Sequence, residues 1–300
     1  MKLIKPLTIT NAMLTSSTVP ETDYAAWSNT TSYTVGQYCI LVSTHKVYQC
    51  LIAHVGASPD INLTGLTPKW LQISSTNRWS MFDTGWGTQT SVATPLTIVL
   101  TPASIINSLA LLNLSATSVN VSMVATEGTV YSKTVDMLGG EVVKDWYGYF
   151  FDTISYKTDL VLTDLPPYGS GAITITINNT GLAAKCGNCV VGNVYELGNT
   201  QYNATAGIVD YSTKTTDTFG NTTIVKRKYS KRMTAKLEID NTFIDDVVTT
   251  LAAYRSTSIV WIGAESIYTS LIVYGFYKDF DVDIAYPTVS YCSLTIEGLT

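Results

Sequence analysis

Charged side chains are scarce in this 300-residue sequence: they make up 14% of it, and 18 Lys and Arg against 23 Asp and Glu leave a formal charge of -5. That balance supplies no global drive toward nucleic acid or an anionic membrane. Histidine is rarer still, with only His45 and His54, so a catalytic or metal centre built on imidazole has no residues to use in the rest of the chain. No Gly-x-Ser-x-Gly, His-Glu-x-x-His or phosphate loop occurs either. Apolar runs stay far short of the ~20 residues of a membrane span, which predicts no membrane insertion. Lys2, Lys5 and Pro6 open the chain without an apolar stretch behind them, so no secretory signal is expected. The five cysteines, an odd number and scattered, exclude a complete disulfide framework. Cys39 and Cys50 fall in neighbouring predicted strands and read as buried thiols. Cys186-Gly187-Asn188-Cys189 has the spacing of half a zinc site or of a redox pair, but further ligands and a βαβ context are missing; a structural turn is the favoured reading. No metal and no cofactor are expected.

What is present is a hydrophobic fraction of 46% together with abundant Thr, Ser, Asn and Tyr. This is the composition of extended, β-rich proteins that present hydroxyls outward. The length predicts more than one domain. Residues 1–22, with Pro6 and Pro20, read as an extended N-terminal arm, either a strand that pairs elsewhere or a grip on a neighbouring subunit.

Residues 23–74 form a predicted small module. Ala26-Trp27 is followed by Tyr33-Thr34-Val35-Gly36-Gln37-Tyr38, then Lys46-Val47-Tyr48-Gln49-Cys50, Ser58-Pro59-Asp60 and Pro68-Lys69-Trp70. Short runs broken by Gly and polar turns predict three antiparallel strands that lean on aromatic side chains, because so small a unit has little core. This order resembles the small chitin-binding type of carbohydrate-binding module found on bacterial chitinases and phage tail proteins. The resemblance covers about 15% of the chain and implies a carbohydrate-binding site at Trp27, Tyr33, Tyr48 and Trp70. Pyranose rings stack their C–H faces on exposed aromatic rings, and Asn, Gln and Thr satisfy the hydroxyls. The same rings are also the module's only substantial core candidates.

Ser74-Ser75-Thr76 reads as a polar linker, and Asn77-Arg78-Trp79-Ser80-Met81-Phe82-Asp83 opens a second domain; this run is similar to one in phage tail proteins. Trp79 and Phe82 are expected to plug the end of a β-sandwich, with Arg78 and Asp83 as a polar seal. Residues 77–192 supply strands at Pro95–Leu100, Ser108–Leu114, Ser118–Val124, Thr129–Val135, Asp159–Leu162 and Ala172–Ile177, predicting a jelly-roll-like β-sandwich. Their order is similar to galactose-binding-like jelly rolls, which makes Tyr147, Tyr149, Tyr156 and Tyr168 candidates for sugar contact, with aromatic packing as the favoured role.

Residues 193–300 read as a C-terminal β-rich α+β assembly domain. Six of the eleven residues from Lys226 to Lys236 are Lys or Arg, the mark of a solvated strand edge or of contact with an acidic protein neighbour. One principal helix is predicted after Thr242, with Ile244, Val247, Val248, Leu251 and Ala252 on its packed face. A helix between β segments resembles the organisation of ring-forming phage tail proteins. Together these features predict a mainly β chain of three parts and imply a homo-oligomeric phage tail-tip or baseplate protein. It is expected in the virion, in contact with other tail proteins, holding host-surface polysaccharide without binding nucleic acid. A purely structural tail or fibre-attachment protein is the alternative. A polysaccharide-degrading enzyme is disfavoured, since nothing selects a pair among Asp145, Asp152, Asp159 and Asp164.

Overall fold

Side-chain alternation decides where the core lies. In the strand Ala172–Asn178, Ile173, Ile175 and Ile177 are buried while Thr174 and Thr176 on the other face are half-buried. Ser118–Ala125 follows the same rule with Val119, Val121 and Met123. The computed structural model that shows this describes residues 1–139, 146–151, 156–264 and 268–299. These two strands belong to a five-stranded antiparallel sheet in the order Gly128–Asp136, Ser118–Ala125, Ala172–Asn178, Leu96–Leu100, Leu14–Ser17.

A second, larger sheet faces it. Its order runs Leu160–Leu162, Ser108–Leu112, Asn188–Glu196, Lys2–Pro6, Ile259–Ile262, Ile272–Asp283, Val289–Gly298 and Tyr229–Asp240, with Asn199–Thr200 and Thr205–Asp210 both paired to the last strand. Leu109, Leu111, Leu162 and Val191 of this sheet meet Leu96, Ile98, Val121 and Ile175 of the other in one apolar cluster. The fold is therefore mainly β, with the expected sandwich. Farther along the large sheet, Leu3, Leu237, Trp261, Val273 and Leu294 pack with Val247 and Leu251 of the helix Ile244–Ala253. The helix is entered through a 3-10 turn at Asn241–Phe243, where the Asp240 carboxylate accepts the Thr242 N–H at 2.9 Å. Its start is thus capped two residues before Thr242, and Ala252 is exposed rather than packed.

One organisational expectation is resolved and two change. Of the two readings of the N-terminal segment, residues 2–6 take the strand: Lys2–Pro6 lies inside the large sheet, with Ile4 opposite Val194 on one side and Val260 on the other. The proposed division after residue 192 falls inside the strand Asn188–Glu196, so the sandwich and the C-terminal region share one sheet. The part of the basic stretch that forms a strand is not an edge, because Tyr229–Asp240 is paired on each side along most of its length, while Lys226, Arg227 and Lys228 precede it. Alternation resolves its composition: Met233, Ala235, Leu237 and Ile239 point inward, while Arg232 and Lys236 on the other face are exposed.

Cys186 ends the strand Ala183–Cys186 and Cys189 is the second residue of Asn188–Glu196, on either side of a tight turn at Gly187. A Cβ at Gly187 would lie 2.7 Å from that of Asn113, which explains the glycine. Both thiols are buried; burial pushes Cys189 up to about 12 and Cys186 well above its ordinary range, with the neighbouring Cys189 adding to the latter. No helix among the described residues is long and apolar enough to cross a membrane.

Candidate functional site

The aromatic module is built on three antiparallel strands, Tyr38–Leu41, Lys46–Cys50 and Trp70–Ser75, with a short ladder between Ser32–Tyr33 and His54–Val55. Ala25 to Trp27 are pinned to the first of these, since Trp27 N–H donates to Ile40 O at 2.8 Å and Ile40 N–H to Ala25 O at 3.1 Å. Within each strand one set of side chains turns inward. Cys39, Tyr48, Cys50 and Trp70 form the module's core with Tyr33, and Trp27, Leu41 and Leu63 pack against it.

All four residues expected to hold sugar therefore meet in one place, and three of them are interior. Trp70 is 0% exposed, and Tyr48 and Tyr33 are also buried. Trp70 sits edge-on to Tyr33 at 5.0 Å and to His54 at 4.9 Å. Its indole N–H donates to Ala57 O at 2.9 Å, the same carbonyl that accepts Trp27 Nε1 at 3.2 Å. Tyr48 Oη is hydrogen-bonded to Thr44 Oγ1 at 3.0 Å, and Tyr33 Oη accepts the Ser28 N–H at 2.8 Å. Faces enclosed on both sides cannot stack on a pyranose, so Tyr33, Tyr48 and Trp70 act as core. Trp27 alone keeps a partly open ring.

The opposite face of the small sheet carries the accessible chemistry. Tyr38 pairs across to Gln49, and Gln49 to Leu71, so these three side chains share the outer face. Tyr24 stacks on Tyr38 with ring centroids 5.0 Å apart and planes 20° from parallel. Tyr24 and Tyr38 are 45% and 39% exposed, and Leu71 is exposed beside them. Under Tyr24 lies an open cleft of about 410 Å³ bordered by Asp23, Ser74, Asn77 and Gln89. An offset aromatic pair, an amide and a hydrophilic cleft are the parts from which a sugar-binding face is assembled. Period-two alternation marked this face already: with Cys39, Tyr48 and Trp70 inward, Tyr38, Gln49 and Leu71 must point outward.

No family model matches this chain, and no curated protein matches it.

The remaining candidates are dispersed. Tyr147 is exposed on the short helix Trp146–Phe151, Tyr156 is exposed, and Tyr168 packs against the sandwich core. Asp145, Asp152 and the side chain of Tyr149 lie outside the described residues. Asp164 accepts hydrogen bonds from Tyr131 Oη at 2.8 Å and Lys133 Nζ at 2.7 Å. Burial raises its pKa, but those two partners outweigh burial and hold it below the ordinary value. Asp159 is engaged elsewhere, with Lys231. Among the described residues no group of three or more His, Cys, Asp or Glu side chains could hold a metal ion.

Proposed function

We propose that this chain is a structural component of a phage tail tip or baseplate, present in several copies, whose small aromatic module faces outward and holds host-surface saccharide. The tail assignment draws on the resemblance of the Ala26–Trp70 order and of the Asn77–Asp83 run to phage tail proteins. The binding assignment rests on one observation: the stacked, solvent-facing Tyr24–Tyr38 pair beside Gln49. Tyr33, Tyr48 and Trp70, with Trp27 packed against them, form the core that holds the platform in shape. Each stacking contact is weak, on the order of 1 kcal/mol. Copy number then supplies avidity, so a ring of modules holds a particle to polysaccharide while other tail proteins engage.

Glycan-array binding by the purified chain tests the reading. Tyr24→Ala and Tyr38→Ala should each abolish the signal of the glycans that the module holds, while thermal unfolding stays within a few degrees of the parent. A double substitution in which no glycan loses its signal removes Tyr24 and Tyr38 from any site. Mass spectrometry of purified virions tests the tail assignment, which fails if the chain is missing from the particles of the phage that encodes it. The burial of Tyr33, Tyr48 and Trp70 favours a second reading, a purely structural tail protein, and a silent array together with presence in virions would establish it.

A further inference from the structure

The large sheet has a second apolar layer on the face turned away from the sandwich and the helix. Ile4, Ala110, Leu112, Val260, Ile272 and Tyr274 form it, and Trp86 and Leu299 partly cover it. Cover is incomplete, and a cleft of about 460 Å³ opens there. Its lining is of two kinds. Trp86, half-buried, and Tyr274 lie in offset stacking, with ring centroids 6.1 Å apart and planes at 27°. Beside them come Asp159, Lys231, Lys228 and Thr158.

The charged members are placed with care. Asp159 keeps only 5% of its side chain exposed, yet it borders the open volume. One carboxylate oxygen accepts the Asn113 N–H at 3.1 Å, and the other is bonded to the Lys231 ammonium. A carboxylate oxygen has two lone pairs, so each retains one for a further donor. Burying such a pair at the rim of a cleft adds little stability compared with apolar side chains of the same volume. Burial, and then the Asp83 carboxylate, raise the Tyr274 pKa, so its phenol stays a hydrogen-bond donor. Lys228 reaches the same loop as Trp86: a Cβ on Gly87 would stand 3.1 Å from its Nζ.

A ligand for this lining needs a flat apolar face for the Trp86 ring and a rim of hydroxyls for a carboxylate and an ammonium, within a volume suited to a small molecule. Pyranosides have that combination. We infer that the cleft lined by Trp86, Tyr274, Asp159 and Lys228 is a saccharide site of its own, taking a mono- or disaccharide unit of a neutral glycan. Trp86 supplies the stacking face, Asp159 accepts from ring hydroxyls, and Lys228 donates to them. The Asp159 and Lys231 charges cancel, and the Asp83 carboxylate, near enough to act on Tyr274, stands against the Lys228 ammonium in the balance of the cleft and its border, which leaves no surplus charge to select an anionic sugar. Gln89 borders both this cleft and the one under Tyr24; the inference does not depend on the module binding sugar.

The experiment is a panel of immobilised neutral, amino and acidic oligosaccharides, probed with the full chain and with Trp86→Ala, Lys228→Gln and the Tyr24→Ala/Tyr38→Ala double variant. The expected result is a neutral glycan whose binding falls about tenfold or more in Trp86→Ala and measurably in Lys228→Gln, as loss of a stacking contact and of a donor should do. That binding survives in the Tyr24/Tyr38 double variant. If Trp86→Ala binds as the parent does, or if no neutral glycan is held, the inference is overturned. Signal lost only in the Tyr24/Tyr38 variant assigns all binding to the module and overturns the cleft; signal lost only in Trp86→Ala does the reverse. A second readout needs no substitution: N-bromosuccinimide oxidation of Trp86 in the parent, followed by mass spectrometry, should slow when the bound glycan is present, and an unchanged rate counts against the site.

Discussion

Trp70 illustrates how one side chain is committed by its surroundings. Its ring is enclosed by Tyr33 and His54 and its N–H is spent on Ala57 O. Trp70→Ala therefore removes core from a unit that has little, and should cost about 3–5 kcal/mol, enough to unfold the module. Tyr38→Ala, on the exposed face, should cost less than about 1 kcal/mol. Chemical denaturation followed by near-UV circular dichroism distinguishes the two, and equal losses would contradict the assignment of inner and outer faces. The cysteines carry a second prediction at this scale. Burial pushes Cys39 and Cys292 up to about 11, with help from Cys50 and Asp281 respectively, and burial alone pushes Cys189 to about 12. A thiol whose folded pKa exceeds its unfolded one contributes stability that is whole below the unfolded value, close to 9, and is lost as pH climbs toward about 11 to 12. Native protein at pH 8 should resist iodoacetamide at all five thiols and label fully once unfolded; stability should decline above pH ~9. Rapid labelling of Cys186 or Cys189 in the native state would show that the turn opens.

At the level of elements, the interior strand Lys2–Pro6 has the largest consequence. Gly192 faces it so closely that a Cβ there would stand 1.9 Å from the Lys5 carbonyl oxygen, a contact that backbone cannot relieve cheaply. Gly192→Ala should displace this strand, and deletion of residues 1–6 should leave Asn188–Glu196 and Ile259–Ile262 without their shared neighbour. Both variants should lose the cooperative unfolding transition of the body and become protease-sensitive; a dispensable arm would leave melting unchanged. The residues alone leave this segment undecided between a paired strand and a grip on a neighbour, for a physical reason. Lys2-Leu3-Ile4-Lys5-Pro6 is five residues long, has no alternation, and is paired with partners nearly two hundred residues or more away. Strands such as Ala172–Asn178 were legible because one face is Ile and the other Thr, a pattern that needs no partner to be recognised. The same test misled in the basic stretch, where outward Lys and Arg suggested an edge although hydrogen bonds to both neighbours are complete along much of the strand. Composition reports which face meets water, and pairing is a separate property of the backbone. In the module, spacing located the aromatic residues but could not tell a core ring from a platform ring until each strand's inward set was known. Trp86, Tyr274 and Asp159 lie far apart in sequence, and only the folded sheet brings them to one cleft.

The whole molecule depends on how the module is joined to the body. Ser75 and Thr76, read as linker, are buried, and the chain passes directly from the strand Trp70–Ser75 into the body. Glu21 accepts hydrogen bonds from His45 Nδ1 and from Thr76 Oγ1, each at 2.9 Å, and so ties the incoming segment, the module's hairpin turn and the exit strand at one point. The Thr76 N–H donates to His45 O at 2.9 Å, Asn77 N–H to Asp23 at 2.9 Å, and Arg78 Nε to Val19 O at 2.7 Å. Arg78 is thereby used on the backbone of the incoming segment, and Asp83 on Gly85 and Thr88, so the two do not pair as a seal. Trp79 completes the joint by stacking on His45 at 4.1 Å and meeting Phe82 edge-on at 5.6 Å. With three segments fastened, the module should tumble with the body as one particle, which matters for a face whose avidity depends on a fixed presentation. Glu21→Ala and Trp79→Ala should release it. Backbone ¹⁵N relaxation should then report a shorter correlation time for residues 26–75 than for the sandwich, with both parts still folded. Trp79→Phe should keep the joint, because the Trp79 N–H finds no hydrogen-bond partner among the described residues and the ring is what stacks. Independent tumbling of the module in the unsubstituted chain would show instead that these contacts are too weak to hold it, and that presentation is flexible by design.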